Sequence, residues 1–274
     1  MTPEEMQQRK REMGLTYEQI SKLCGVPTPT VQKIISGTTE SPYSYNREAV
    51  ERVLNPDYRP CWMREKDRKP AEIRESVFAY GAKRQGEYTA EDYYAMPDDQ
   101  RCELIDGVLY DMASPDFNHQ TIVEYVGLAL KEYVKKNGGN CLVRMTAQDT
   151  KVSSDDITIV QPDIFVLCDR TKIKKQWIFG APDMIVEVLS KSTQKKDCTI
   201  KLNKYLFSGV KEYWIIDPVT EKIICYDFSQ ETVIPMIYGF NDSVPAAIWG
   251  GRCKIDFQPL KDELIDFGSD EDTD

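Results

Sequence analysis

Read as apolar against polar positions, the chain opens on short helices with abrupt stops. Thr16 begins a Thr-x-x-Gln capping box with Gln19, and Ile20 and Leu23 supply an apolar stripe that ends at Gly25. After the Val26-Pro27 turn, Thr28 is expected to cap a second helix with Pro29 at its first position. That helix carries Val31, Ile34 and Ile35 inward and stops at Gly37. From Thr89 the pattern becomes mixed. Thr89 caps a short helix over 90–95, and Glu103 to Tyr110 reads as a hairpin turning on Asp106-Gly107. Asn118 is the expected cap of a long helix whose apolar residues Ile122, Val123, Val126, Leu130, Tyr133 and Val134 keep a helical period until Gly138-Gly139. Short apolar runs follow at 141–145, 157–167, 184–189, 213–216 and 223–226, with another helix over about 193–207 between the third and fourth, stopped by Gly209. One helix, a run of strands, a second helix and more strands predict an α/β layer fold with a mixed sheet. Domain boundaries follow: an all-α unit over 1–55, a charged linker over 56–87 with a short helix near Ile73 to Tyr80, a mixed domain over 88–265 and an acidic tail over 266–274.

Two helices of about eight residues joined by a Gly-containing turn make a helix-turn-helix, in which the first crosses the DNA backbone and the second enters the major groove. The segment Leu15 to Gly37 resembles the phage-repressor-like helix-turn-helix family. That resemblance implies that Thr28, Thr30, Gln32 and Lys33 face DNA, since Gln can read adenine while Thr and Lys hold phosphates. Half-site readers of this kind work as homodimers, so two-fold pairing is expected.

Charge both opposes and allows this partner. With 35 Lys and Arg against 45 Asp and Glu the net charge is −10, yet residues 1–54 balance seven against seven and residues 55–86 carry eight cations against five acids. Much of the deficit is the last nineteen residues, where Lys261 stands alone against eight acids, a block expected to remain solvated. No stretch approaches the roughly 18–20 apolar residues that span a bilayer, and no apolar block begins the chain, so a soluble cytoplasmic protein is expected. The eight cysteines are nowhere closer than 27 residues, which excludes local zinc spacings. An even count leaves disulfides open, but so long a chain does not need them, and single thiols suit a reducing cytosol. His119 is the only histidine, so metal ligands would be carboxylates. No glycine motif suggests a nucleotide cofactor.

Two acids interrupt strands that should be apolar: Asp163, after Pro162, and Glu187 within Ile185-Val-Glu-Val-Leu189. A carboxylate inside a buried strand costs several kcal/mol unless it is paired, hydrogen-bonded or metal-bound. Neighbouring strands could bring both to one edge, making a site for Mg2+ or Mn2+; a Lys or Arg partner in the core is the other way to satisfy them.

The runs Tyr88-Thr-Ala-Glu-Asp-Tyr93, Glu103-Leu-Ile-Asp-Gly107, Met112-Ala-Ser-Pro115, His119, Gln161-Pro-Asp163, Gly180 to Ser190 and Gly209 to Pro218 resemble, in order, the Uma-type restriction endonuclease family of the PD-(D/E)xK nuclease superfamily. The similarity extends over about residues 88–228. It implies a restriction-endonuclease-like mixed sheet flanked by helices, with Asp163 and Glu187 holding the metal and Glu103 as a third acid. The superfamily lysine should stand two residues after Glu187, where this chain has Leu189. In this family the lysine has moved to the following helix, where Asp197, Lys201 and Tyr205 share a face at four-residue spacing; Lys201 is the candidate, with Lys204 and Lys191 behind it. His119, at the start of the long helix, would touch the phosphate or move a proton. Gln161 points to the face of Asp163, and Trp177 and Trp214 are read as packing. The implied activity is divalent-metal-dependent DNA cleavage; the alternative is a DNA-binding or interaction protein on the same fold that no longer cuts.

Overall fold

A computed structural model describes residues 1–24, 26–38, 47, 50–51, 53–54, 83–97, 101–112, 114–145, 148–190, 194, 196–230 and 232–267. The linker helix near Ile73 to Tyr80, Gly25, Lys191 and the end of the acidic tail lie outside the described residues, as does the side chain of Leu23.

Three helices open the chain: α1 (Pro3–Glu12), α2 (Tyr17–Cys24) and α3 (Thr28–Ser36). The α1 helix was not read from the sequence, although Thr2 and Glu5 form a reciprocal capping box at its start. The Thr16–Gln19 box is present ahead of α2. Thr28 is not a cap. Pro27 occupies that position, makes no side-chain hydrogen bond, and leaves Thr28 as the first helical residue. Met6, Leu15, Ile20, Val31, Ile34 and Ile35 close a core of their own, to which Val50 and Leu54 add.

From residue 83 on come α4 (Ala90–Tyr94), β1 (Cys102–Ile105), β2 (Val108–Asp111), α5 (Phe117–Lys136), β3 (Leu142–Arg144), β4 (Thr150–Lys151), β5 (Ile164–Leu167), β6 (Ile178–Phe179) and β7 (Met184–Val188). A π-helical segment, Lys196–Lys201, then runs into α6 (Leu202–Ser208). The chain continues through β8 (Glu212–Asp217), β9 (Lys222–Asp227), β10 (Met236–Gly239), β11 (Ser243–Ala246), β12 (Cys253–Asp256) and α7 (Leu260–Glu263). Asp116, not Asn118, caps α5, accepting from the His119 N–H at 2.7 Å. A cap two residues earlier puts His119 in the first turn of the helix.

The central sheet has six strands in the order β10-β9-β8-β7-β5-β3, with β7 and β8 parallel and the other pairs antiparallel. Alternation along each strand sorts two cores. Ile164, Val166, Val186, Val188, Trp214 and Ile216 face α5, whereas Phe165, Ile185, Leu189, Tyr213 and Ile215 face the π-helical segment, α6 and the β1–β2 hairpin. This is the mixed sheet flanked by helices that the pattern predicts. The run over 157–167 is not one strand. Ile159 and Val160 pair with Leu104 and Thr150, and the chain joins the central sheet only after Pro162, which has no N–H to offer a ladder.

One cysteine expectation is overturned. Cys141 and Cys168 form a disulfide, because the antiparallel β3–β5 register that sets Leu142 opposite Leu167 brings the next two residues face to face. Sequence spacing does not reveal a cross-strand neighbour. Among the described cysteines, Cys24, Cys102, Cys198, Cys225 and Cys253 are free.

Candidate active site

The β5–β7 ladder pairs Ile164 with Val186 and Phe165 with Ile185, so its next rung sets Asp163 beside Glu187. Two residues far apart in sequence thereby meet at one end of adjacent strands. The Val188 N–H donates to Asp163 Oδ2 at 2.8 Å, and His119 Nε2 lies 3.2 Å from the same oxygen. Glu187 is buried and accepts from Lys201 Nζ at 2.9 Å and from the Tyr205 hydroxyl at 2.7 Å, both on Oε1.

Glu103 arrives from β1 fully buried. Its Oε1 accepts from the Gln161 N–H at 2.8 Å and meets Lys201 Nζ at 2.8 Å, while Lys196 Nζ donates to Oε2 at 2.6 Å. Lys201 also meets Asp197 Oδ1 at 3.4 Å. The gathering of Asp197, Lys201 and Tyr205 follows the helical spacing, but Lys196 was not foreseen. In an α-helix residues five apart point about 140° away from each other. A π-helix closes its hydrogen bonds from i to i+5, so Lys196 and Lys201 share a face and reach the same carboxylate.

Four carboxylates (Glu103, Asp163, Glu187 and Asp197) line this cavity against two ammonium groups, Lys196 and Lys201. The imbalance shows in their acidities. Burial would raise the pKa of Glu103, but Lys196 and Lys201 outweigh it and hold the carboxyl at about 2. Glu187 goes the other way: burial and the neighbouring acids Asp197, Asp163 and Glu103 push it well above the usual carboxylate range against the pull of Lys201. For Lys201, burial favours the neutral amine, but Glu103, Glu187 and Asp197 overcome it and lock the side chain as ammonium. His119 is drawn upward because its hydrogen bond to Asp163 outweighs the effect of burial; its Nδ1 has no partner among the described residues.

The cavity is about 280 Å³, with Arg101, Ser114, Gln120 and Gln161 among its walls. Among the described residues no three of His, Cys, Asp and Glu gather closely enough to hold a metal. Asp163 and Glu187 nevertheless fit Mg2+ or Mn2+: they are hard oxygen donors on adjacent strands, in a cavity where four carboxylates outnumber the three cations Arg101, Lys196 and Lys201, and Mg2+ needs only one or two carboxylates besides water. Glu103 fits less well, since both its oxygens face lysines. Leu189, where the superfamily lysine would stand, is packed in the core, and Lys204 turns away to pair with Asp106.

The four residues read as DNA contacts lie on α3, apart from the cavity. Gln32 and Lys33 are exposed, and Thr28 and Thr30 are half-buried. The helical unit packs on α6: Asn203 donates to the Met13 carbonyl at 3.3 Å, and Phe207 packs on its core.

A family model described as "Uma2: Putative restriction endonuclease" matches residues 90–247, more than half of the chain. The chain belongs to the Uma2 family. All four cavity carboxylates, both cavity lysines and His119 fall within the Uma2 segment, whereas α1–α3 precede it and β12 and α7 follow it. The fold is shared with a structure titled a "putative nuclease belonging to DUF820" from Anabaena variabilis, at 19% identity and a TM-score of 0.54, over 65% of this chain and 99% of that one. No curated protein matches. Among the described residues no helix is long and apolar enough to cross a membrane.

Proposed function

We propose that this Uma2 protein is a divalent-metal-dependent DNA endonuclease. The observation that carries the reading is Asp163 beside Glu187 at the end of β5 and β7, with the Lys201 ammonium against Glu187. Asp163 and Glu187 would hold Mg2+ or Mn2+, which when bound lowers the pKa of water and offsets charge on the phosphate. Lys201 cannot act as a base, because three carboxylates keep it protonated. Its part is electrostatic: a fixed positive charge near the negative charge that grows on the phosphate. Glu103 positions both lysines, and His119 orients Asp163 through Nε2. The α1–α3 unit docks on duplex DNA through Thr28, Thr30, Gln32 and Lys33 and pairs as a homodimer in the cytoplasm.

The test is conversion of supercoiled plasmid with Mg2+, Mn2+ or chelator, comparing the parent with Asp163→Asn. Metal-dependent nicking lost in the variant supports the reading. Equal nicking by both overturns it. A non-cutting DNA-binding protein is the second reading, favoured by one observation: Glu103, Glu187 and Asp197 already occupy the Lys201 ammonium. No cleavage of any DNA under either metal would leave that reading in place.

A further inference from the structure

Trp177 does not belong to a core. It lies half-buried near the tip of a projecting turn, where the Lys174 N–H donates to the Trp177 carbonyl at 2.9 Å and Ile173 bridges Ile178. Its ring lies against Tyr94, with centroids 5.2 Å apart and planes 31° from parallel, and Tyr94 meets Tyr93 edge-on at 5.2 Å. The Lys151 ammonium stands over both outer rings, 5.8 Å from Tyr94 and 5.3 Å from Trp177. Tyr94 is 40% exposed and Trp177 half-buried, so part of this aromatic surface is left in water rather than covered by the fold.

The charge around them departs from that of the chain. Between Asp169 and Asp183 there are four cations, Arg170, Lys172, Lys174 and Lys175, and no acid, in a protein of net charge −10. Lys174 and Lys175 are exposed at the turn; among the described residues Lys174 meets the Thr171 carbonyl, at 3.3 Å, and no carboxylate. Two acids are close by. Asp156 reaches Lys151 at 3.4 Å, and Asp149 lies beneath the tyrosines with its pKa raised by burial. Neither pairs with the lysines of the turn.

A continuous set of hydrogen bonds joins these rings to the cavity. The Tyr93 hydroxyl donates to Asp149 Oδ1 at 3.1 Å, and Gln161 Nε2 lies 2.9 Å from both. Gln161 is itself a wall of the cavity and donates its N–H to Glu103. Aromatic faces set among exposed cations are of little use to the interior of a duplex, whose base faces are covered by stacking. They suit unpaired nucleotides, whose bases stack on rings while lysines follow the phosphates.

We infer that Tyr94 and Trp177, braced by the buried Lys151 and flanked by the exposed Lys174 and Lys175, form a platform that holds unpaired nucleotides of a DNA strand leading into the carboxylate cavity. This rests on the nuclease reading for what happens in the cavity, but not for the binding itself. It makes the preferred substrate a strand with a single-stranded stretch beside the bond that is cut.

The test uses the full chain in chelator, so that no cleavage intervenes. Anisotropy of a labelled thymidine strand of about 20 nucleotides is compared with a duplex of the same length. Trp177→Leu, which keeps an apolar side chain at the turn, should weaken strand binding about tenfold, within the range for loss of one base stack, and change duplex binding less than about twofold. Tyr94→Leu should do the same, and a Lys174→Ser, Lys175→Ser double variant should lower the salt slope of strand binding by about one. Strand binding should quench tryptophan emission in the parent and less so in Trp177→Leu. Unchanged strand affinity in both aromatic variants overturns the platform, as does a parent that binds no single strand. Strand binding by a parent that cuts nothing with Mg2+ or Mn2+ would refute the nuclease reading and leave the platform standing.

Discussion

Replacing Lys201 by Met keeps the aliphatic stem and deletes a charge that three carboxylates share. In the parent, four acids face two ammonium groups; in the variant four face one, and Glu187 retains only the Tyr205 hydroxyl among its two close donors. Removing one member of a buried ion pair costs about 3–5 kcal/mol, because the partner is left charged and out of water. At about 2 °C per kcal/mol for a chain of this size, the apparent Tm should fall by about 6–10 °C in chelator. A divalent cation should reverse much of the loss, since the site then has a larger deficit of positive charge. Titrating Mn2+ while following Tm should therefore show tighter binding in Lys201→Met than in the parent, by about tenfold or ~1.4 kcal/mol. Cleavage should nonetheless fall about a hundredfold, because the fixed charge beside the phosphate is gone. Lys204→Met removes the ion pair to Asp106, in which the lysine is buried and the carboxylate is 30% exposed, and should cost less than Lys201→Met with no gain in metal affinity. A Lys201 variant with the parent's Tm and the parent's Mn2+ affinity would refute the account of the cluster, whatever its activity.

Other expectations follow from the same geometry. Asp163→Ala and Glu187→Ala should each weaken Mn2+ binding at least about tenfold by calorimetry, with parent-like binding by both excluding these residues as ligands. Glu103 has its pKa lowered to about 2, so its contribution to stability is present above its unfolded value of roughly 4.3 and is lost as pH falls through the folded value. Glu103→Gln should accordingly flatten the acid limb of a Tm-against-pH curve in that window, and an unchanged limb would mean that its lysine pairs do not matter. Gly14 has φ +62°, and a Cβ there would lie 2.9 Å from the Ile200 methyl, so Gly14→Ala should destabilise the seam between the helical unit and the π-helical segment by about 1–2 kcal/mol, read as a drop in Tm. Lys33→Ala should lower duplex affinity and its salt slope by about one, and an unchanged slope would place α3 away from DNA.

Amphipathic period and turn chemistry were enough to read α2, α3, α5 and the strands β1, β2, β7, β8 and β9, because each depends on residues close in sequence. The hairpin on Asp106-Gly107 is the plainest case: both residues take positive φ, 52° and 76°, and a Cβ on Gly107 would strike the Gly86 backbone. Helix caps were less legible. Asp116 and Asn118 are both good caps by type; the first takes the position, while the Asn118 side chain bonds the Ile265 backbone. The later strands β10, β11 and β12 carry weak patterns and take their places from the sheet and core they join.

For the candidate site, the residue pattern marked Asp163 and Glu187 as costly acids in apolar strands, and the family resemblance pointed to Lys201 on the following helix. Neither could say that Asp163 and Glu187 share a rung, since that depends on the β5–β7 register, or that the hairpin carrying Glu103 would stand outside the central sheet. Lys196 was hidden for a definite reason: α-helical phase points it away, and only the extra residue per turn of the π-helical segment brings it to Glu103. The same holds for the Cys141–Cys168 bond and for Trp177 beside Tyr94, where partners 27 and 83 residues apart in sequence meet through strand register and turn placement. Residue types determine which groups need a partner, because the cost of burying charge is local to the group; which partner each one finds is decided by tertiary structure, because contact depends on the path of the whole chain.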